Sequence, residues 1–298
     1  MAGKGRFMER LKAGEVLLSD GAWGTELHKL GLESGACPEE WNVSHPEQVK
    51  QLVRGYLEAG ADMVLTNSFG GTRFKLAKFG FAERVKEFNA AAVRLSKQVA
   101  GEYGAFVAAS VGPTGEFIEP LGLVTEPEMY EAFRDQIQAL KEGGADAVVV
   151  ETFFALEEIR LAIRAAKDAG MTCFATMTFD PGAAGFKTMM GISVPQAAKA
   201  LDEAGADVIG TNCGNGIENM VKIVSEMRPH TRKPILVHSN AGIPQLVKGQ
   251  VVYQETPEKM AAKVKDVIAA GARIVGGCCG TTPAHIKAFR KVLDGLRK

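Results

Sequence analysis

The sequence has no surplus of charge of either sign. Its 298 residues include 35 Lys+Arg and 35 Asp+Glu, a formal net charge of zero. That balance argues against a nucleic-acid stripe or an anionic membrane surface as partner. Long apolar runs are also missing. No stretch approaches the ~18 uninterrupted apolar residues of a membrane span. The basic start, Met-Ala-Gly-Lys-Gly-Arg, lacks the apolar core of a signal peptide. These absences predict a soluble, cytoplasmic protein. Cysteines are few and odd in number, at five. A disulfide framework is therefore disfavoured, and metal binding or catalysis is left for any thiols that cluster. No Gly-x-Gly-x-x-Gly follows the first strand candidate, which disfavours an open dinucleotide-binding sheet.

What is present is a repeat. Glu58-Ala-Gly-Ala-Asp-Met-Val64 recurs as Glu142-Gly-Gly-Ala-Asp-Ala-Val148, Glu203-Ala-Gly-Ala-Asp-Val-Ile209 and Ala269-Ala-Gly-Ala-Arg-Ile-Val275. Each copy closes an amphipathic helix, turns on a glycine and opens an apolar strand. Gly60, Gly144, Gly205 and Gly271 suit the left-handed cap that ends a helix. Further strands are predicted at Val16–Asp20, Phe106–Val111, Cys173–Phe179 and Ile235–Ser239, eight in all with the repeats. Helical patterns separate them at Pro46–Ala59, Ala82–Tyr103, Glu126–Glu142, Leu156–Ala169, Val194–Ala204, Ile217–Met227 and Pro257–Ala270. Eight alternating units predict an α/β fold, a (β/α)8 TIM barrel forming one domain over residues 1–298. The interval from Gly60 to Gly144 is longer than the next two. Its excess falls in Phe69–Gly80 and Gly112–Gly122, two loops predicted to build or cover a site at the strand C-termini.

Three cysteines occupy strand ends. Cys213 lies in Val208-Ile-Gly-Thr-Asn-Cys-Gly214, and Cys278 and Cys279 lie in Ile274-Val-Gly-Gly-Cys-Cys-Gly280. In a barrel, strand C-termini share one face, so the three sulfurs can converge on a metal. Thiolates suit zinc, and three protein ligands leave one tetrahedral position open. Three thiolates make a poor Lewis acid for hydrolysis, but a coordinating thiol is deprotonated outright. Alkyl transfer to sulfur follows from that chemistry. The bland alternative is small buried residues at tight turns. Cys37 and Cys173 carry no such pattern. His238, near the end of the seventh strand, could instead complete a closed Cys3His site, which would be structural. Other strand ends carry polar groups: Asp20, Thr66, Asn67, Glu151, Thr152, Asn212 and Asn240. Asp20 and Glu151 could hold a substrate ammonium, and backbone N–H groups of the turn starting at Gly21 could take a carboxylate. As alternatives, Asp20 suits a turn or N-cap acid, and Glu151 a salt bridge.

Together, Asp20-Gly-Ala-Trp-Gly-Thr25, Thr66-Asn-Ser-Phe69, Glu151-Thr-Phe153, Gly210-Thr-Asn-Cys-Gly214 and Gly276-Gly-Cys-Cys-Gly280 resemble the homocysteine S-methyltransferase family. The resemblance runs from about Gly14 to Val292. Gly112-Pro-Thr-Gly115 and Gly214-Asn-Gly-Ile-Glu-Asn-Met220 look most like the homocysteine-binding module of cobalamin-dependent methionine synthase. The resemblance implies a zinc ion on Cys213, Cys278 and Cys279, with L-homocysteine bound through sulfur. It implies Asp20 and Glu151 at the amino group, with Gly21, Thr66, Asn67 and Asn212 beside the substrate. Ala22 replaces a glycine common in relatives, and His238-Ser239 precedes Asn240 where relatives differ. The folate and cobalamin modules of multidomain methionine synthases are expected to be absent. The expected methyl donor is therefore a free small molecule, or a methyl group on a separate corrinoid protein. A corrinoid- or folate-linked system with another acceptor, and a non-catalytic barrel with structural zinc, are the alternatives.

Overall fold

The repeat glycines adopt the conformation their position demands. Gly60, Gly144, Gly205 and Gly271 have φ of +96, +97, +89 and +125°, values that cost other residues strain. Each ends a helix and turns the chain into a strand. The computed structural model describes residues 3–183, 185–247 and 250–296. It contains eight parallel strands: β1 Leu17–Leu18, β2 Met63–Val64, β3 Phe106–Val111, β4 Ala147–Phe153, β5 Cys173–Met177, β6 Val208–Asn212, β7 Ile235–Ser239 and β8 Ala272–Gly277. They pair in the order β1-β8-β7-β6-β5-β4-β3-β2. Helices separate them, and the architecture is a (β/α)8 barrel. Seven predicted helices are present within one or two residues, except that Ala82–Arg84 is a 3-10 turn leading into Val85–Tyr103. The closing helix Pro283–Leu296 and the opening helix Gly3–Lys12 were not foreseen. Among the described residues, no helix is long and apolar enough to cross a membrane.

The last gap in the ring, between β1 and β2, is closed largely by carboxylates. The Asp62 N–H donates to the Leu18 carbonyl at 2.7 Å, and the Leu18 N–H donates to Asp62 Oδ2 at 2.9 Å. The Leu65 N–H donates to Asp20 Oδ2 at 2.7 Å. These bonds satisfy backbone groups that two-residue strands leave over.

Alternation along the strands sorts the barrel interior into layers. Leu17, Met63, Phe106, Ala147, Phe174, Val208, Leu236 and Ile274 form an apolar lower core. Phe7, from the opening helix, fills its base, with its ring 4.3 Å from Phe106 and 6.2 Å from Phe174. Burying one such ring contributes about 1.5–3 kcal/mol. Two or four residues further along seven of the eight strands the same inward positions become polar or vacant, while after β2 Leu65 stays apolar. They are Ser19, Ser110, Glu151, Thr176, Asn212, His238 and Gly276. Period two thus carries the chain from a dry floor to a polar upper layer under the strand C-termini.

Candidate active site

Above the polar layer lies a cavity of about 360 Å³, within the range of small-molecule sites. Its wall includes Gly21, Thr66, Asn67, Glu151, Cys213, Cys278 and Cys279. These expected residues, from five strand ends, are brought together. Asp20 and Asn212 stand behind the wall. Asp20 is fully buried and accepts from Leu65 N–H, from Trp23 Nε1 at 3.0 Å and from Ser19 Oγ at 3.1 Å. Burial raises its carboxyl to about 6. Asn212 Oδ1 accepts from Thr152 N–H and Thr176 Oγ1, while Nδ2 donates to Thr152 Oγ1 and, at 3.3 Å, to Glu151 Oε2. Its amide is thereby satisfied by the protein. Asp20 and Asn212 hold the wall in shape.

The three Sγ atoms of Cys213, Cys278 and Cys279 lie within 4.8 Å of one another. Tetrahedral zinc with bonds of about 2.3 Å needs sulfurs roughly 3.8 Å apart, so the cluster is of the right size. Hydrogen bonds from Cys213 and Cys278 pull the Cys279 thiol well down. The Cys213 and Cys279 partners, with burial, push Cys278 well up. One negative charge is easily held there, and a cation would be needed to hold more. Among the described residues no histidine or carboxylate joins this group, so His238 does not complete a four-ligand set. His238 lines the cavity with Nε2 unpartnered, and burial lowers its imidazole to about 4, leaving it neutral. Asn240 Oδ1 is likewise buried and unpartnered beside the strand end. The donor set fits a thiophilic metal with room for a further ligand.

Backbone conformation marks the same place. Among the described residues, only Thr152 and Cys213 are non-glycine with positive φ, at 67° and 59°. Such strain costs about 1–3 kcal/mol each and gathers at functional sites. Glu151, next to Thr152, is nearly buried. Its Oε1 accepts from Ser110 Oγ at 2.5 Å. Burial pushes its carboxyl up to about 7, against the Ser110 bond. No described cationic side chain pairs with it. In the turn after Asp20, the Ala22 N–H already donates to Thr281 Oγ1 at 3.1 Å. The Gly21 and Trp23 N–H groups have no partner among the described residues.

Sequence reasoning passed over Glu39, Pro38, Ser110 and Leu27, which also line the cavity. Asn67 explains the first two: its Nδ2 donates to the Pro38 carbonyl at 2.6 Å and draws that segment over the pocket. No periodicity announces such a contact. A larger cavity of about 500 Å³ lies at the other end of the barrel, among Arg10, Asp62, Lys97 and Tyr103. It contains no thiol and no strand C-terminus.

This fold and site define a (β/α)8 barrel of the enzyme type, with a cluster of three thiols able to hold a metal at its C-terminal face. The profile of the homocysteine S-methyltransferase family matches residues 17–293. The chain belongs to that family. It is 32% identical over 303 residues to a methionine synthase of Mycobacterium tuberculosis, covering 95% of this chain and 25% of that one. It is 30% identical over 310 residues to betaine–homocysteine S-methyltransferase 1 of Danio rerio, covering 97% and 76%. The chain thus spans about a quarter of the length of the methionine synthases it matches. The crystal structure of the metallated homocysteine methyltransferase MmuM from Escherichia coli superposes with a TM-score of 0.80 at 24% identity, covering 95% of this chain and 98% of that chain.

Proposed function

We propose that the protein transfers a methyl group to the thiol of L-homocysteine, giving methionine, with zinc as its metal. The observation that carries this reading is the three-thiol cluster facing one cavity with a buried, unpaired carboxylate. Cys213, Cys278 and Cys279 would hold the zinc, which would supply a low pKa for an incoming thiol at neutral pH. Glu151, oriented by Ser110 and Asn212, would accept the amino-acid ammonium. The Gly21 and Trp23 N–H groups would take its carboxylate. Thr66 and Asn67 would flank the substrate chain. Alignment of sulfur with the methyl carbon would contribute several kcal/mol, on the order of that seen for oriented reactants.

The test is X-ray absorption at the metal before and after L-homocysteine. A fourth sulfur neighbour is expected on addition. An unchanged spectrum sinks the acceptor assignment.

A second reading delivers the methyl group on a separate corrinoid protein. One observation favours it: Phe117, Leu121, Leu123, Met189, Ile243 and Leu246 are exposed on loops that follow barrel strands. Such an apolar rim is what a covering partner would use. An assay with and without a methylated corrinoid protein separates the two.

A further inference from the structure

We infer that Tyr253 is a positioning residue of the thiol cluster: its hydroxyl fixes the Cys279 sulfur and dulls it as a methyl acceptor, so that alkylation falls on the incoming thiol. This rests on the metal-thiolate reading above and adds the means by which a sulfur of the protein itself is spared.

Tyr253 follows the strand Gln250–Val252 and is half-buried against the main apolar core. Its ring occupies the space that a side chain at Gly280 would need: a Cβ there would meet Tyr253 Cβ, Cγ and Cδ2. Gly280 has φ of +80° and directly follows Cys279. Two backbone bonds tie the same stretches together. The Ala241 N–H donates to the Cys279 carbonyl at 3.0 Å, and the Glu255 N–H donates to the Ala241 carbonyl at 2.9 Å. His285 locks the far side. Its Nδ1 accepts from the Thr282 N–H at 3.1 Å, which leaves Nε2–H to donate to the Glu255 carbonyl at 2.9 Å. With ring and backbone both held, the Tyr253 hydroxyl donates to the Cys279 sulfur. The charges of Cys213 and Cys278 also act on it, so the phenol stands at the edge of the whole cluster.

Packing alone accounts for the ring but not for the hydroxyl. A phenylalanine would cover Gly280 equally well. A phenol is an O–H donor at neutral pH, and a bond from it to a thiolate is of the strong, charge-assisted kind. Partners of this sort orient metal ligands and tune them. The tuning has a use here. A metal holding Cys213, Cys278, Cys279 and a substrate thiol presents all of those sulfurs to one methyl group. The Tyr253 bond draws charge from the Cys279 sulfur and occupies one of its lone pairs. That leaves the incoming sulfur the stronger nucleophile.

The step to be suppressed is a displacement at carbon. With methyl iodide as the reagent, the Cys279 thiolate gives a lone pair to the methyl carbon and a C–S bond forms. The C–I bond breaks, and iodide leaves with its electron pair. The thiolate becomes a neutral thioether, and the metal loses an anionic ligand.

The test treats the zinc-loaded protein with methyl iodide in the absence of homocysteine. Fragment mass spectrometry reads S-methylation at each cysteine. Tyr253→Phe keeps the ring over Gly280 and removes the hydroxyl alone, and far-UV dichroism checks that the fold is kept. Methylation of Cys279 should accelerate about tenfold in the variant, with Cys213 within about twofold of wild type. With Co2+ in place of zinc, the sulfur-to-metal charge-transfer band should move to longer wavelength, because the Cys279 sulfur regains charge. Easier access to an unchanged thiolate would leave that band in place. A Cys279 rate indifferent to Tyr253→Phe, or a faster rate with an unmoved band, overturns the proposal. If L-homocysteine never reaches the metal while both changes appear, the acceptor reading falls and the role of Tyr253 stands.

Discussion

Asn212 clamps Thr152 from both sides: the Thr152 N–H donates to Asn212 Oδ1 at 2.8 Å, and Asn212 Nδ2 donates to Thr152 Oγ1 at 2.7 Å. The clamp holds a threonine in a left-handed conformation one residue after Glu151. Asn212→Ala should release that strain and leave the Glu151 carboxylate less well aimed. Two opposing effects follow for stability, and the lost buried bonds should dominate by about 1–3 kcal/mol. The affinity for L-homocysteine should fall more than the affinity for the donor. Urea unfolding and paired KM measurements check both.

Removing the metal should separate chemistry from fold. The strands of the barrel are paired independently of the three thiols, which sit at strand ends. A strong chelator is expected to abolish turnover and leave the far-UV dichroism in place. Cys213→Ala or Cys278→Ala should each reduce bound zinc from near stoichiometric to a small fraction, since two thiolates rarely retain it. Metal analysis after gel filtration decides this.

The Glu151 carboxyl gives a pH signature in the metal-free protein. Burial raises it from its ordinary 4.5 to about 7. The folded state therefore binds this proton more tightly than the unfolded chain. Its contribution to stability is complete below about 4.5 and is lost as pH rises through 7. Wild type should lose about 1–3 kcal/mol relative to Glu151→Gln between pH 5 and 8. Denaturant unfolding of both proteins across the range measures it.

Two glycines should respond oppositely to alanine. A Cβ at Gly210 would press into the Leu236 backbone on the neighbouring strand. Backbone cannot step aside as a side-chain tip can, so Gly210→Ala should cost about 2–4 kcal/mol. Gly101, in the helix Val85–Tyr103, has nothing within 4 Å of its Cβ position. Gly101→Ala should be neutral or stabilise by about 0.5–1 kcal/mol. Thermal unfolding of the pair tests the packing between β6 and β7.

The barrel was legible because its signals are local. Glycine caps, helical periodicity and apolar strand runs each lie within a few residues, and the repeat multiplies them. The cysteine cluster was legible because strand C-termini share a face, which turns sequence position into spatial position. Asp20 and Asn212 show the limit. Both sit at strand ends as anticipated, but which way each side chain turns depends on partners far along the chain, Leu65 for one and Thr152 for the other. His238 was undecided for the same reason; its inward direction becomes plain only when Ser19 and Gly276 are seen beside it. Glu39 was invisible because it reaches the cavity through a long-range contact, Asn67 to the Pro38 carbonyl, that no local pattern announces. The hairpin between Asp180–Gly182 and Gly185–Lys187 was not anticipated either, since its strand residues other than Phe186 are exposed and unpatterned.

The opening helix, with Phe7 driven into the floor, turns the barrel into a vessel with a single mouth. Whatever settles deepest must arrive first and depart last. Homocysteine, seated low against the thiols, would precede the methyl donor, and the spent donor would have to clear the rim before methionine could escape. On the proposed function, this architecture would impose a compulsory order of traffic.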